Sequence, residues 1–155
     1  MMGIVDKRLA ELGITLPGAA SPIANYVPAV RTGNLLFISG QLPLKEGVVA
    51  LEGKVGDTVS VDQATEAARL CALNIVAQAK AALGGDLDKV TRVVKLTGFV
   101  ACTPGFAQHP QVINGASDTM VQVFGDAGRH SRAAVGAPSL PRNAPVEVEA
   151  VLEVA

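Results

Sequence analysis

Arg132 and Glu147, fifteen positions apart in the last quarter of the chain, are the residues whose types and setting best fit chemistry. Arg132 stands at the mouth of a short apolar run, Ala133 to Ala137. A guanidinium cannot shed its proton to ease burial, and its planar fork matches a carboxylate. Glu147 opens an alternating stretch, Val146 to Val154, in which Glu147, Glu149 and Glu153 share one face. Taken alone, those glutamates read as the solvated face of an antiparallel sheet, and Arg132 as a partner for some neighbouring carboxylate. Taken together, the two stretches read as paired strands that bring Arg132 and Glu147 into one pocket.

The remaining reactive residues carry less. Cys71 falls on the apolar face of a helix and reads as core packing. Cys102, His109 and His130 have no spacing that fits a short metal motif, and the adjacent His130 and Ser131 do not make a catalytic dyad by adjacency alone. No phosphate-binding glycine loop, HExxH or CxxC occurs. No metal or organic cofactor is expected. The net charge is −1, with no basic run, which excludes the electrostatic footprint of a nucleic-acid binder. No stretch approaches the roughly 18 apolar residues of a membrane span, and the N-terminus carries no signal-length apolar block. Two cysteines in apolar segments fit a reducing compartment, so a soluble, cytoplasmic protein is expected.

The elements that must hold these residues follow from periodicity. Residues 4–12 have apolar residues at helical spacing and form a short helix; residues 1–16 as a whole read as an N-terminal helical extension. Asn25 to Val30 and Asn34 to Ser39 read as a β-hairpin around Gly33. Residues 44–59 read as a loop with a small strand pair near Val48 to Leu51. A long helix starts at Ser60 or Asp62 and ends before Gly84-Gly85, with a stripe at Ala64, Ala68, Cys71, Ile75, Ala79 and Ala82. Val90 to Val100 is a long strand with a bulge expected at Gly98. A second long helix spans about Phe106 to Phe124. This order predicts one α+β domain over residues 1–155, a single mixed sheet with two long helices packed on one face. The core must be built from small aliphatics, since aromatics are 3% and Trp is absent.

Three stretches carry a resemblance. They are SPIANYVPAV (21–30) followed by GNLLFISGQLP (33–43); Asn114 in the second long helix; and SRAAVGAPSLPRNAPVEVEAV (131–151). Together they resemble the reactive-intermediate deaminase family, also called the Rid or YjgF family, with the older label "endoribonuclease L-PSP". The resemblance implies a chorismate-mutase-like fold and a homotrimer with clefts between subunits. It implies a carboxylate-binding role for Arg132 and a water-activating role for Glu147, with Tyr26, Ser39, Gly40, Asn114 and Ala134 lining the cleft. Departures mark a divergent subfamily. Ser131 precedes the arginine where Pro-Ala is usual, and Ala134 stands where many members have Cys. The implied activity is hydrolysis of 2-imino or 2-enamino acids to 2-keto acids and ammonia. Two alternatives stand behind it: a non-catalytic trimer that binds small carboxylates such as keto acids, and, last, an endoribonuclease.

Overall fold

Ser60 starts the longest helix by closing a reciprocal cap. Its hydroxyl accepts from Gln63 N at 3.1 Å, and its own N–H donates to the Gln63 side chain at 2.9 Å. The computed structural model describes residues 2–22 and 24–155. Helices α1 (Ile4–Glu11), α2 (Val61–Ala82) and α3 (His109–Phe124) accompany a five-stranded sheet. Its strands are β1 (Ala29–Thr32), β2 (Leu35–Gln41), β5 (Val90–Ala101), β6 (Ser131–Ala137) and β7 (Val146–Val154). A separate two-stranded ribbon joins β3 (Leu44–Lys45) to β4 (Val48–Val49).

The sheet order is β1-β2-β7-β5-β6, antiparallel except for the β5–β6 pair. The expected pairing of the last two strands therefore does not form: β5 lies between them. The α3 crossover returns β6 parallel to β5 on the sheet's edge, and β7 enters the centre between β2 and β5. Burial decides which strand is central. Val146, Val148, Ala150, Leu152 and Val154 are all buried under the helices, whereas β6 offers only Arg132, Ala134 and Gly136 on that side.

The expected helical stripe is real. Ala64, Ala68, Cys71, Ile75 and Ala79 are buried, while Ala82 at the helix end is exposed. Small residues let the elements approach closely. A methyl group at Gly115 would sit 2.0 Å from the Thr65 carbonyl oxygen on α2, and one at Gly98 would meet Ile113 at 2.5 Å. Gly98 thus makes room for α3 and does not mark a bulge; the β5 irregularities fall between Val90 and Arg92 and between Val93 and Lys95. Three other boundaries differ from expectation. The first strand begins at Ala29, since Pro28 leaves no ladder donor. α3 begins at His109, where Pro110 fits the first turn. The ribbon forms at 44–49, slightly earlier than expected.

α1 is tied to the body at both ends. The Asp88 carboxylate accepts from Ile4 N and Val5 N at 2.8 and 2.9 Å, and Arg8 donates to the Val123 carbonyl at 3.0 Å. Among the described residues, no helix is long and apolar enough to cross a membrane. The helix-free face of the sheet is left open. Val30, Phe37 and Val135 stay exposed on it, at 53%, 44% and 44%.

Candidate functional site

Glu147 enters the centre of the sheet at the start of β7 and points to the open face, beside Phe99 of β5. Its carboxylate lies over Gly40, where β2 bulges between Ile38 and Gln41. A methyl group at Gly40 would stand 2.6 Å from Glu147 Oε2, so only glycine leaves the acid this position. A cavity of about 220 Å³ opens there, lined by Glu147, Gly40, Tyr26, Pro22, Gln41 and Arg142 among others. It is smaller than the roughly 300–1,000 Å³ of drug-sized pockets and suits a small metabolite.

Burial pushes the Glu147 carboxyl above its ordinary range, and the nearby Glu149 charge adds to the effect. Among the described residues, Glu147 makes no ion pair. A half-buried, unpaired carboxyl of this kind is able both to take a proton from water and to return it. The cavity wall is held by side chains that do not themselves line the space. Ser39 donates its hydroxyl to the Val27 carbonyl at 2.9 Å and fixes the segment that carries Tyr26. Gln78, buried in α2, donates to the Ala20 carbonyl at 2.7 Å and to Gln41 Oε1 at 3.5 Å.

Arg132 is elsewhere. It pairs with Leu96 on β5, on the opposite side from β7, and its side chain reaches toward α3. Glu147 pairs with Phe99, three residues along β5 from Leu96. Two strand spacings and three residues put the two Cα atoms about 14 Å apart, with their side chains on opposite faces of the sheet. Within one chain, the expected shared pocket of Arg132 and Glu147 is therefore not formed. The reason is the β5 strand between them.

Arg132 has its own surroundings. Nη1 donates to Ser117 Oγ and Nη2 to the Pro110 carbonyl, each at 3.1 Å. Asn114 is exposed on the same stripe of α3, between Pro110 and Ser117. Ala134 follows Arg132 on the helix side of β6 and packs against the core. His130 Nδ1 donates to the Gly128 carbonyl at 2.6 Å, and its Nε2 is hydrogen-bonded with the Ser117 hydroxyl at 2.8 Å. The expected site residues thus divide in two. Tyr26, Ser39, Gly40 and Glu147 form one group, and Arg132, Asn114 and Ala134 the other.

Two features of the sites were not read from the sequence. Ser117 and His130, thirteen residues apart, meet only because the chain turns back after α3. Arg142 was passed over within a proline-rich turn, and its one signal was a charge beside Asn143 at the entry to β7. Cys71 is fully buried and its thiol is pushed well above the usual range by that burial, so it packs and does not react. Cys102 Sγ lies 3.6 Å from His109 Nε2, beside Gly136 of β6.

Comparison with known proteins agrees with this architecture. A solved structure from Agrobacterium tumefaciens, Atu1372, of unknown function, superimposes with a TM-score of 0.91 at 55% identity, covering 97% of this chain and 92% of that one. Protein TCP17 of Trypanosoma cruzi is 49% identical over 97% of this chain and 94% of its own length. The 2-iminobutanoate/2-iminopropanoate deaminase of Dermatophagoides farinae is 29% identical over 90% of this chain and 93% of its own. The family model described as "YjgF/chorismate_mutase-like, putative endoribonuclease" matches residues 6–154. The chain belongs to the YjgF/chorismate-mutase-like family.

Proposed function

We propose that this protein hydrolyses 2-imino and 2-enamino acids to 2-keto acids and ammonia, in a site completed by a neighbouring copy of the chain. The observation that carries the reading is Glu147: a half-buried carboxyl with a raised pKa, unpaired among the described residues, set over Gly40 in a metabolite-sized cavity. The Dermatophagoides relative, named for this reaction, supports it. In the proposed reaction Glu147 takes a proton from water as the water oxygen attacks C2 of the protonated imine. The resulting carbinolamine receives that proton on nitrogen, and the C–N bond breaks. The hydroxyl then gives its proton to the regenerated Glu147 carboxylate and becomes the keto oxygen; the proton passes to the departing ammonia, which leaves as ammonium.

A 2-carboxylate anchor is needed to hold C2 at Glu147, and Arg132 has the chemistry for it. Because the Arg132 Cα lies about 14 Å from that of Glu147, across the sheet, Arg132 fills this role only from another copy. A closed ring of three chains with head-to-tail contacts would bring the β6 edge of one copy to the cavity of the next. It would also cover Val30, Phe37 and Val135 on the open face, an exposed apolar surface of the sort that marks an interface.

The test is keto acid and ammonia release from 2-iminopropanoate generated in situ, with sedimentation to count subunits. Wild type should exceed the uncatalysed background, and Arg132→Ala and Glu147→Gln should each return to it, with the assembly trimeric throughout. Saturable binding of 2-oxobutanoate without ammonia release would replace this reading with that of a carboxylate-binding trimer. Salt-dependent RNA affinity with RNA cleavage would replace it with the endoribonuclease.

A further inference from the structure

The Glu147 cavity contains a cation that the reaction above does not use. Arg142 lines the same cavity, and among the described residues the two charges make no ion pair with each other. Nor is the guanidinium occupied elsewhere among the described residues, where its one hydrogen bond, from Nη2 to the Gly47 carbonyl, is long at 3.4 Å. A permanent cation and an acid therefore share a small cavity with space between them.

The backbone that presents Arg142 is strained. Arg142 and the following Asn143 both have φ near +57°, the left-handed region that favours glycine. Asn tolerates that conformation; a long side chain does so at a cost, and glycine would serve the turn freely. The surrounding contacts fix it nonetheless. Gly53 N donates to the Asn143 carbonyl at 2.9 Å, and Ala144 N donates to the Pro141 carbonyl at 3.2 Å. The strained turn places Arg142 in the lining of the cavity.

We propose that Arg142 is a second anion anchor, so that the site prefers 2-imino and 2-keto dicarboxylates over monocarboxylates. This rests on the deaminase reading, in which Arg132 of an adjoining copy takes the 2-carboxylate. Arg142 then takes the distal acid group, and C2 lies between them at Glu147. A monocarboxylate leaves Arg142 with water only.

The experiment measures binding of 2-oxobutanoate and 2-oxoglutarate to the intact protein by calorimetry, beside hydrolysis of 2-iminopropanoate. Wild type should favour the dicarboxylate by about tenfold or more, within the range for a hydrogen bond to a charged group. Arg142→Asn, which suits the left-handed turn, should bring the two ligands within about twofold by weakening only 2-oxoglutarate, and Arg142→Lys should keep part of the preference. Arg132→Ala should weaken both. Equal binding of the two acids by wild type overturns the proposal, as does an Arg142→Asn variant that loses both alike. If wild type hydrolyses the imine without a dicarboxylate preference, only this inference fails. If it neither hydrolyses the imine nor binds either keto acid, the deaminase reading fails with it.

Discussion

Replacing Gly40 by alanine separates the position of Glu147 from the stability of the fold. The added methyl would lie 2.6 Å from Glu147 Oε2, 2.9 Å from Cδ and 3.1 Å from Cγ. Ordinary contact begins near 3.4 Å, so the carboxylate must withdraw by about 0.8 Å. The group that has to move is the end of a flexible, half-buried side chain, and Gly40 itself does not have a positive φ. The fold should therefore accept the methyl. Alanine at a compatible site restricts the unfolded chain by about 0.4–1 kcal/mol, which offsets the local rearrangement. The expected melting temperature stays within about 3 °C of wild type. Catalysis is far less tolerant, since a misplacement of about 1 Å is able to lower a rate by about 10²-fold. Keto acid release from 2-iminopropanoate should fall by about that factor in kcat/KM, toward the level of Glu147→Gln. On the Glu147→Gln background the same methyl should change activity by less than about twofold, because there is no longer a positioned acid to displace. Wild-type activity in a normally folded Gly40→Ala protein would refute the assignment of the reacting acid to Glu147 over Gly40. A melting temperature lowered by about 10 °C or more would refute the claim that Glu147 yields freely.

Other perturbations read different parts of the molecule. Gly115→Ala places a methyl 2.0 Å from the rigid Thr65 carbonyl, so α2 and α3 must separate; about 3 kcal/mol of overpacking should lower the melting temperature by about 6–12 °C, and a shift under about 2 °C by circular dichroism would contradict the packing. Glu147 binds its proton more tightly folded than unfolded, so its favourable contribution is complete below about pH 4.3 and is lost as pH rises through the folded value. Glu147→Gln should therefore melt higher than wild type at pH 8 and equal to it at pH 4, and a reversed order would sink the burial argument. Asp88 behaves oppositely: the Val5 and Ile4 amides hold its carboxyl below the usual range, so its support of α1 is present above about pH 3.9 and is lost as pH falls through the folded value. Asp88→Asn should speed amide hydrogen exchange at Ile4 and Val5 at pH 7; unchanged protection there would mean that α1 is held by its packing alone.

What the sequence made legible is what local chemistry specifies. Ser60 announces the start of α2, and the five alternating apolar residues of β7 announce a strand with one buried face. Strand order is different in kind, because it depends on which surfaces compete for the centre. β6 and β7 are separated by a short proline-rich turn and look like a hairpin, yet only β7 has a large enough apolar face to sit between β2 and β5. β6, with its alanines and Gly136, fits the edge, where a Cβ at Gly136 would meet His109 and Cys102. That exchange carries Arg132 away from Glu147 and makes the choice of anchoring residue a question of assembly.

Arg142 marks the limit from the other side. Nothing in a Pro-Arg-Asn turn states that its arginine is left-handed, since the conformation is imposed by Gly53 and the start of β7 acting across the fold. The sequence spreads three candidate charges, Arg132, Arg142 and Glu147, over sixteen positions. The fold joins the last two around a single cavity and sends the first to the far edge. If the site is completed between copies, substrate is held by cations from two chains, and monomeric protein should lack activity even with every named residue intact. Dilution below the assembly constant therefore tests the composite site without any substitution: specific activity should fall with the fraction of trimer, and activity that persists in the monomer would return the whole reaction to Arg142 and Glu147.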